Sequence, residues 1–350
     1  MLNEKEIREL VAAHGEAVNE GRPIRKLIED GELPRLKGCT VLEGKVSDSV
    51  FGEGLKTPAG RPIRLMFRNN RISTHDVNRG AIPFKDQVLA FNHDHMLRLV
   101  KPVLGSSQFE VKGLSPASTV IPAENLKLVK LENVLRFYMA ESSTSTSLYQ
   151  HWLTAKEQGK SVMKYAGHEL KVPELEINGR LPYLMDTPST KEAVDRTIDA
   201  AWLSENGICT EGQYMQIRNS SIMAFGMVSI HLAQKGMVLV DTKTEHGINA
   251  DGRIVAADEL YTMDSSRFWK LDDDGNLLTR DGKPVSFSKE FARGMVTEKN
   301  QQFTREQANE IAVRYIQGLQ HITGETFTPD LRPRDQRIVE STNLILNALL

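Results

Sequence analysis

The stretch LVDTKTEHG at residues 239–247 decides the architecture, because it joins a buried strand to a run of alternating charges. Residues 237–241 form a short, apolar and β-branched run, which predicts a buried strand. Successive side chains of a strand point to opposite faces, so Asp241, Lys243 and Glu245 are expected to share one face. The sequence therefore predicts one strand that is apolar at its start and carries a charged stripe at its end.

The turn that follows this strand suggests a metal site. Asp251-Gly252 is a strong signal for a two-residue hairpin turn, and closure there would place Glu245 directly opposite Asp258. Opposed carboxylates repel unless a proton or cation lies between them, and Mg²⁺ is a natural occupant. A longer loop through Asn249 would shift the pairing by two residues. A surface hairpin with a salt-bridged stripe is the alternative interpretation.

Length and composition limit the classes of protein to which the chain can belong. The chain has 350 residues, 40% of them hydrophobic, with 44 basic and 46 acidic residues and a net charge of −2. This excludes collagen-like, coiled-coil, disordered and disulfide-scaffold proteins and predicts two lobes around sizeable cores. The near-neutral balance also argues against binding to nucleic acid or to a membrane surface, both of which need a positive field.

The N-terminus and the cysteines bear on the compartment. Residues 1–10, MLNEKEIREL, contain no apolar leader, and the longest apolar-leaning run, residues 222–233, is too short for a membrane span. Cys39 and Cys209 lack CxxC spacing and are expected to be free thiols. The cytoplasm is therefore the expected compartment.

Periodicity and turn residues divide the chain into two predicted domains, residues 1–130 and 131–350. The first combines helical segments over 4–30 with a β-like texture from about 38 to 130. In the second, residues 165–191 are expected to be loop-like. Two helices are expected to open with Thr/Gln capping boxes, at Thr210 and Gln213 and at Thr304 and Gln307.

Several of these stretches together resemble the SAICAR synthetase (phosphoribosylaminoimidazole-succinocarboxamide synthase) family, especially its longer bacterial form. The segments that carry the resemblance, in the family's order over about residues 40–325, are 43–46 (its GKV), 71–77 with 82–85 (RISxxDV and IPxK), 186–191 (TPSTK), 239–247 (hDTKFEFG) and 258–269 (DEhhTPDSSRhW). The resemblance implies an α+β, two-lobed fold. It has a β-rich N-terminal lobe, an ATP-grasp-like α+β C-terminal lobe and the ATP site in the cleft.

The activity implied by this resemblance is an ATP-dependent amide ligation. The carboxylate of 5-aminoimidazole-4-carboxylate ribonucleotide would be joined to L-aspartate through an acyl phosphate, with ATP and Mg²⁺ as cofactors. The implied partners are small molecules, with neither nucleic acid nor membrane, and a homo-oligomer is expected by analogy alone. Two alternatives stay open: a paralogous ligase for a different acid and amine, and an inactive nucleotide-binding paralogue. The Glu245/Asp258 pair argues against the inactive protein, which would have no need of a metal clamp.

The family motifs assign roles to ten residues. The implied catalytic group is Lys243 with the metal ligands Glu245 and Asp258. The implied nucleotide-binding residues are Lys45, Lys85 and Glu132. The implied substrate-binding residues are Arg136, Ser142, Arg267 and Arg293.

Departures from the family motifs lie mostly in the nucleotide and substrate loops. The family's IPGKG reads Ile82-Pro83-Phe84-Lys85-Asp86 here, which replaces two flexible glycines by a bulky ring and an acid. Its AGS reads Ala140-Glu141-Ser142, which adds a negative charge beside an expected phosphate. Since the hairpin motif is intact, the pattern fits a divergent synthase or a paralogue with other substrates.

Overall fold

The computed structural model describes residues 1–44, 46–74, 77–144, 146–192, 196–298 and 301–350. It divides the chain into two compact units. The first comprises Met1–His95, Ser107–Leu126 and Phe287–Leu350, and the second comprises Met96–Ser106 and Lys127–Ser286. The C-terminal segment thus returns to the N-terminal unit, whereas the sequence divided the chain once, after residue 130.

Runs of helices and runs of strands follow one another along the described residues. The helices are α1 (Glu4–Asn19), α2 (Ile24–Glu29), α3 (Lys85–Leu104), α4 (Leu148–Glu157), α5 (Ala200–Glu205), α6 (Glu211–Ala233), α7 (Glu290–Gly294), α8 (Arg305–Thr323) and α9 (Arg334–Leu349). The strands are β1 (Thr40–Glu43), β2 (Ser47–Lys56), β3 (Pro62–Arg68), β4 (Arg71–Thr74), β5 (Val77–Ala81), β6 (Val120–Glu124), β7 (Lys127–Leu128), β8 (Leu131–Tyr138), β9 (Val162–Tyr165), β10 (His168–Lys171), β11 (Arg180–Asp186), β12 (Ser189–Thr190), β13 (Met237–Ile248), β14 (Ile254–Ala257), β15 (Ser266–Lys270), β16 (Thr279–Arg280), β17 (Lys283–Pro284) and β18 (Ser286–Phe287). Both element types are abundant, which confirms the α+β class. No helix of the described residues is long and apolar enough to cross a membrane.

The first unit is built on an antiparallel sheet in the order β1-β2-β3-β6. Its core combines Leu65 and Phe67 of β3 with Leu27 of α2 and with Ile338 and Ile345 of α9. These side chains are at most 1% exposed, so α9 supplies part of the apolar surface that the sheet buries. This shared core explains why the C-terminal segment belongs to the first unit.

The β-like texture expected between residues 38 and 130 is wrong for α3, a helix of 20 residues. Polar side chains near its start, such as Lys85, Asp86 and Gln87, are as buried as the apolar Val88 and Leu89. A helix that buries polar and apolar residues alike shows no clean apolar stripe, so its 3.6-residue period is masked. Burial of polar groups is set by tertiary contacts, which the sequence does not display.

The second unit is built on a sheet whose central strands lie in the order β11-β8-β13-β15, with β7 and β14 also paired to β13 and β12 paired to β8. Helix α6 packs against β13 and β8. The capping boxes predicted at its start and at the start of α8 are both present. The loop-like stretch 165–191 is wrong, since it contains β10, β11 and β12. Pro182 obscured β11, and it lies where that strand's register shifts, a place that tolerates proline.

Candidate active site

One face of the second unit's sheet carries charged residues from three neighbouring strands; we call it the charged face. On β13, Asp241, Lys243 and Glu245 alternate with Thr242 and Thr244, which are buried. The alternation predicted from the sequence is therefore confirmed. Every second side chain of β13 points to the same side of the sheet, which is why its charged residues lie on one face.

An arginine pair forms one end of the charged face. Asp241 lies directly opposite Arg136 of β8 and opposite Arg267 of β15. The Nη1 of Arg136 donates to Asp241 Oδ2 at 3.3 Å, and the Nε of Arg267 donates to both carboxylate oxygens at 3.0 Å. Two of the predicted substrate-binding residues are thus brought together, with a carboxylate between them. The group carries a net positive charge and suits an anionic ligand.

Lys243 forms the middle of the charged face. Its Nζ donates to Glu132 Oε1 of β8 at 2.5 Å. Burial disfavours the charged ammonium, but Glu132, with smaller contributions from Glu245 and Glu259, outweighs burial and raises the pKa of Lys243. Lys243 is therefore a fully charged cation at neutral pH, in contact with one predicted nucleotide-binding residue.

Glu245 forms the other end of the charged face, and its predicted pairing with Asp258 is wrong. Glu245 pairs with Ala257, one residue short of Asp258. The hairpin closes between Asn249 and Arg253, whose backbone N–H···O distance is 3.0 Å, and Gly252 adopts a φ of 76°. The loop therefore has three residues and ends in a left-handed glycine, so the register differs by one from that of a two-residue turn. Asp258 follows the end of β14 with a φ of 55°.

A different carboxylate lies beside Glu245. The pairing of β13 with β8 runs from Asp241 with Arg136 to Thr244 with Asn133, one residue before Glu245 on β13 and Glu132 on β8. Both carboxylates act on the Lys243 ammonium that lies between them. Each of these acids is paired with a lysine, Glu132 with Lys243 and Glu245 with Lys191. Adjacent carboxylates need such compensation, and the lysines supply it.

These acids fit a Mg²⁺ site of the kind shared with a phosphate ligand. Within the described residues, no three His, Cys, Asp or Glu side chains are grouped as a ready metal cage. Mg²⁺ is commonly bound by one or two carboxylates while substrate phosphates and waters complete its octahedron. Glu132 and Glu245 provide two carboxylates on one face, which is the donor set that such a shared site requires.

The loop that holds Ser142 is connected to the arginine pair. The Nη1 of Arg267 donates to the backbone oxygen of Glu141 at 3.0 Å. Ser142 Oγ accepts from the Thr144 backbone N–H at 3.2 Å, and its backbone oxygen accepts from Gln150 Nε2 at 2.7 Å. The predicted substrate residues Arg136, Arg267 and Ser142 therefore belong to one connected group.

The other predicted residues belong to the first unit or lie outside the described residues. Lys85 is fully buried at the start of α3, with Nζ 6.0 Å from the centre of the Tyr315 ring. The preceding Phe84 has a φ of 62°, a conformation that glycine adopts freely. Arg293 lies in α7 and contacts Glu290 at 2.9 Å. Lys45 lies outside the described residues.

Two features of the second unit were not predicted as functional. Lys191 was recognised only as the last residue of the TPSTK-like segment, and its pairing with Glu245 is set by the tertiary fold. His246 is 1% exposed, and neither ring nitrogen has a hydrogen-bond partner among the described residues. Burial lowers the pKa of His246 to about 4, so this ring is neutral at physiological pH.

Comparison with solved structures defines the class: an α+β fold shared with SAICAR synthases. A SAICAR synthase from Saccharomyces cerevisiae, solved in complex with SAICAR, superimposes with a TM-score of 0.64 at 22% identity, covering 84% of this chain and 98% of that one. A type-2 SAICAR synthetase in complex with ADP gives a TM-score of 0.58 at 19% identity, covering 83% of this chain and all of that one. At these identities the likeness shows the fold.

Sequence comparisons narrow the class to a family. The family model of SAICAR synthetase matches residues 43–310. The phosphoribosylaminoimidazole-succinocarboxamide synthase of Legionella pneumophila (strain Lens) is 30% identical over 279 residues, covering 77% of this chain and 85% of that protein. The chloroplastic enzyme of Arabidopsis thaliana is 29% identical over 328 residues, covering 91% of this chain and 74% of that protein. The chain belongs to the SAICAR synthetase family, as its motifs predicted.

Proposed function

We propose that the chain is an ATP-dependent carbon–nitrogen ligase. It joins the carboxylate of 5-aminoimidazole-4-carboxylate ribonucleotide to the amine of L-aspartate and yields SAICAR, ADP and phosphate. The observation that carries this proposal is the charged face, which combines an arginine pair with two lysine-compensated carboxylates in a chain of this family. The proposed compartment is the cytoplasm, and a homo-oligomer is proposed by analogy alone.

The arginine pair binds the anionic ribonucleotide in this proposal. Guanidinium groups present planar forks that match phosphate and carboxylate oxygens. Asp241 fixes the orientation of both forks, and the two guanidinium groups with one carboxylate carry a formal charge of +1. Ser142, connected to Arg267 through the backbone of Glu141, would add a hydroxyl donor to this site.

The lysines support activation of the carboxylate. A carboxylate would have to expel oxide to form an amide directly, so one of its oxygens first attacks the γ-phosphorus of ATP and ADP leaves. The amine of aspartate then attacks the acyl carbon, and phosphate departs with the oxygen that came from the carboxylate. Negative charge develops at the phosphoryl and acyl oxygens in both steps, and the ammonium groups of Lys243 and Lys191 are fixed charges that offset it.

Glu132 and Glu245, together with Asp258, would hold Mg²⁺ when the nucleotide binds. Bound Mg²⁺ supplies charge neutralisation at the phosphate oxygens. Each carboxylate contacts its lysine through one oxygen, so the second oxygen of Glu132 and of Glu245 would be the one offered to the cation.

A second candidate is a ligase for another acid and amine. The observation that favours it is Glu141, whose backbone contacts Arg267 while its side chain is exposed next to Ser142. An added carboxylate near an anion site lowers affinity for a doubly charged phosphate. A substrate of lower negative charge would suffer less from this repulsion.

The decisive assay measures ADP release with the ribonucleotide and L-aspartate together, with each alone, and with other amino acids. The proposal expects sustained release of ADP, beyond one equivalent per enzyme, only when both substrates are present. ADP formed with a different amine would select the second candidate, and the absence of aspartate-dependent turnover would overturn the first.

A pair of glutamate variants tests the role of the acids. Glu245→Gln is expected to abolish most Mg²⁺-dependent turnover, because the amide keeps the shape but loses the charge that a divalent cation requires. Glu169→Gln is the matched control, since Glu169 is an exposed residue of β10 in the same unit. Full activity of the Glu245 variant would refute the metal assignment.

A further inference from the structure

A buried polar cluster lies in the second unit, separate from the charged face. Its centre is Asp186, the last residue of β11, which is 8% exposed. The carboxylate accepts hydrogen bonds from the Tyr214 hydroxyl and from Arg218 Nε, each at 2.8 Å. Both donors belong to α6, so Asp186 ties the edge of the sheet to the long helix that covers it.

His168 of β10 fixes the same residue through its main chain. Its Nε2 lies 2.7 Å from the backbone oxygen of Asp186 and 3.5 Å from Oδ1, while its Nδ1 lies 3.1 Å from the Tyr183 hydroxyl. The side chain and the backbone of Asp186 are therefore both held, by groups from three other positions in the fold. A buried network of this kind, once satisfied, restricts its members to one arrangement.

The next residue, Thr187, connects the cluster around Asp186 to Arg136 of the charged face. Its backbone N–H donates to the Val134 oxygen at 2.8 Å, and its hydroxyl accepts from Arg136 Nε at 3.1 Å. The opposite side of the same guanidinium meets Asp241. Arg136 is thus held at two nitrogens, and one of these contacts depends on the position of the residue that follows Asp186.

We propose that Asp186 and His168 are positioning residues that act through Thr187 on Arg136 and so set the affinity for the anionic ribonucleotide. This inference rests on the proposed function, because it assigns substrate binding to Arg136. Their side-chain contacts within the described part of the chain are to each other and to Tyr183, Tyr214 and Arg218, none of which belongs to the charged face. Their effect is to fix the backbone at residues 186 and 187, so that the guanidinium fork keeps the orientation that its ligand requires.

The groups around His168 make its contact with Asp186 depend on pH. Asp186 hydrogen bonding raises the pKa of His168, against the opposing effects of burial and of Arg218. Two tyrosines contact this pair, Tyr183 at His168 and Tyr214 at Asp186. Tyr165 of β9 pairs with His168 across the strands, and Asp199 lies beside Gly167, the residue before His168. Because the pKa is raised, the charged contact is complete at pH below 6.5. It is lost as the pH rises through the higher value of the folded protein.

The first test compares Thr187→Val with Thr187→Ser. The valine variant loses the hydroxyl that accepts from Arg136, and its KM for the ribonucleotide is expected to rise about tenfold while the KM for ATP stays unchanged. The serine variant keeps the hydroxyl and is expected to restore the wild-type KM. Equal KM values for the two variants, or an equal rise for both substrates, would overturn the role of Thr187.

The second test concerns the cluster itself. Asp186→Asn is expected to raise the same KM. In the wild type this KM is expected to increase with pH above 6.5, and His168→Gln is expected to remove that increase. Glu169→Gln, the exposed neighbour of His168, is the control and should leave both quantities unchanged. A pH profile of His168→Gln identical to that of the wild type would overturn the inference. A wild-type enzyme that turns over neither substrate would instead overturn the proposed function, so the two failures are distinguishable.

Discussion

Replacing Asp241 by asparagine tests the centre of the charged face. Asp241 is 7% exposed and compensates two guanidinium groups, whose side chains are 19% and 16% exposed for Arg136 and Arg267. Removing one partner from a buried ion pair costs about 3–5 kcal/mol, because the remaining charge is left uncompensated. The partial exposure of both arginines lowers this cost. We therefore expect Asp241→Asn to reduce the free energy of unfolding of the second unit by about 3 kcal/mol.

Tryptophan fluorescence reports this change selectively. All three tryptophans of the chain, Trp152, Trp202 and Trp269, lie in the second unit. Urea unfolding followed by their emission therefore measures that unit, even when the two units unfold in separate transitions. The control is Asp273→Asn, an exposed turn position at which the same change of chemistry should alter stability by less than about 0.5 kcal/mol.

Comparing Asp241→Asn with Asp273→Asn shows whether Asp241 stabilises the second unit by compensating the two arginines. An unfolding midpoint of Asp241→Asn equal to that of Asp273→Asn, with an unchanged slope, would contradict the stabilising role of Asp241, because the arginines would then need no compensating carboxylate. A loss of stability that high salt abolishes would also contradict it, since buried pairs are screened far less than exposed ones.

Three further predictions follow from other positions in the second unit. The pKa of His246 is about 4 in the folded protein and 6.5 in the unfolded chain, so the contribution of the neutral ring to stability is complete above pH 6.5 and falls as the pH drops. The expected loss in the free energy of unfolding is about 2 kcal/mol at pH 5. His246→Phe should abolish this loss in urea titrations at pH 7 and pH 5. Thr210→Ala removes the side-chain cap on Gln213 N–H, and tryptophan emission should show a loss of about 1 kcal/mol. Lys243→Met removes the cation that faces Glu132, and kcat for ADP release should fall about 100-fold.

Each of these predictions has a result that contradicts it. Equal pH dependence in the His246 variant and the wild type would show that the ring is not the group that titrates. An unchanged unfolding midpoint would show that the Thr210 cap contributes nothing to the second unit. A Lys243 variant that loses affinity for the substrates but keeps kcat would place the lysine in ground-state binding rather than in the chemical steps.

Local periodicity made the charged stripe of β13 predictable. Asp241, Lys243 and Glu245 share a face because the strand repeats every two residues, which requires no tertiary information. The N-terminal caps of α6 and α8 were predictable for the same reason, since the Thr and Gln of each box lie three residues apart.

Pairings between distant segments were not predictable from local patterns. Glu132 and Lys243 are 111 residues apart in sequence, yet their strands are neighbours in the sheet. The predicted pairing of Glu245 with Asp258 was wrong because the turn after Asn249 has three loop residues instead of two. The extra residue makes Ala257 the partner of Glu245. Family motifs supplied the residue types of the site, whereas the strand order supplied its geometry.

Phe84 shows how a departure from the family motif can be structural. Its φ of 62° matches the conformational freedom of the glycine in the family's IPGKG motif, and its ring packs edge-on against Phe327 with centroids 5.9 Å apart. The left-handed backbone at a bulky residue is costly, and the fully buried ring offsets part of that cost. We infer that this substitution adds core packing at the position where the motif has a flexible glycine.

The transfer of a labelled oxygen tests the proposed ligase mechanism most directly. The ribonucleotide carboxylate is labelled with ¹⁸O, and the inorganic phosphate formed with ATP and L-aspartate is analysed by mass spectrometry. Each phosphate is expected to carry one carboxylate oxygen, because that oxygen bonds to phosphorus before the amine displaces it. Phosphate without label, formed at the same rate as SAICAR, would contradict activation through an acyl phosphate.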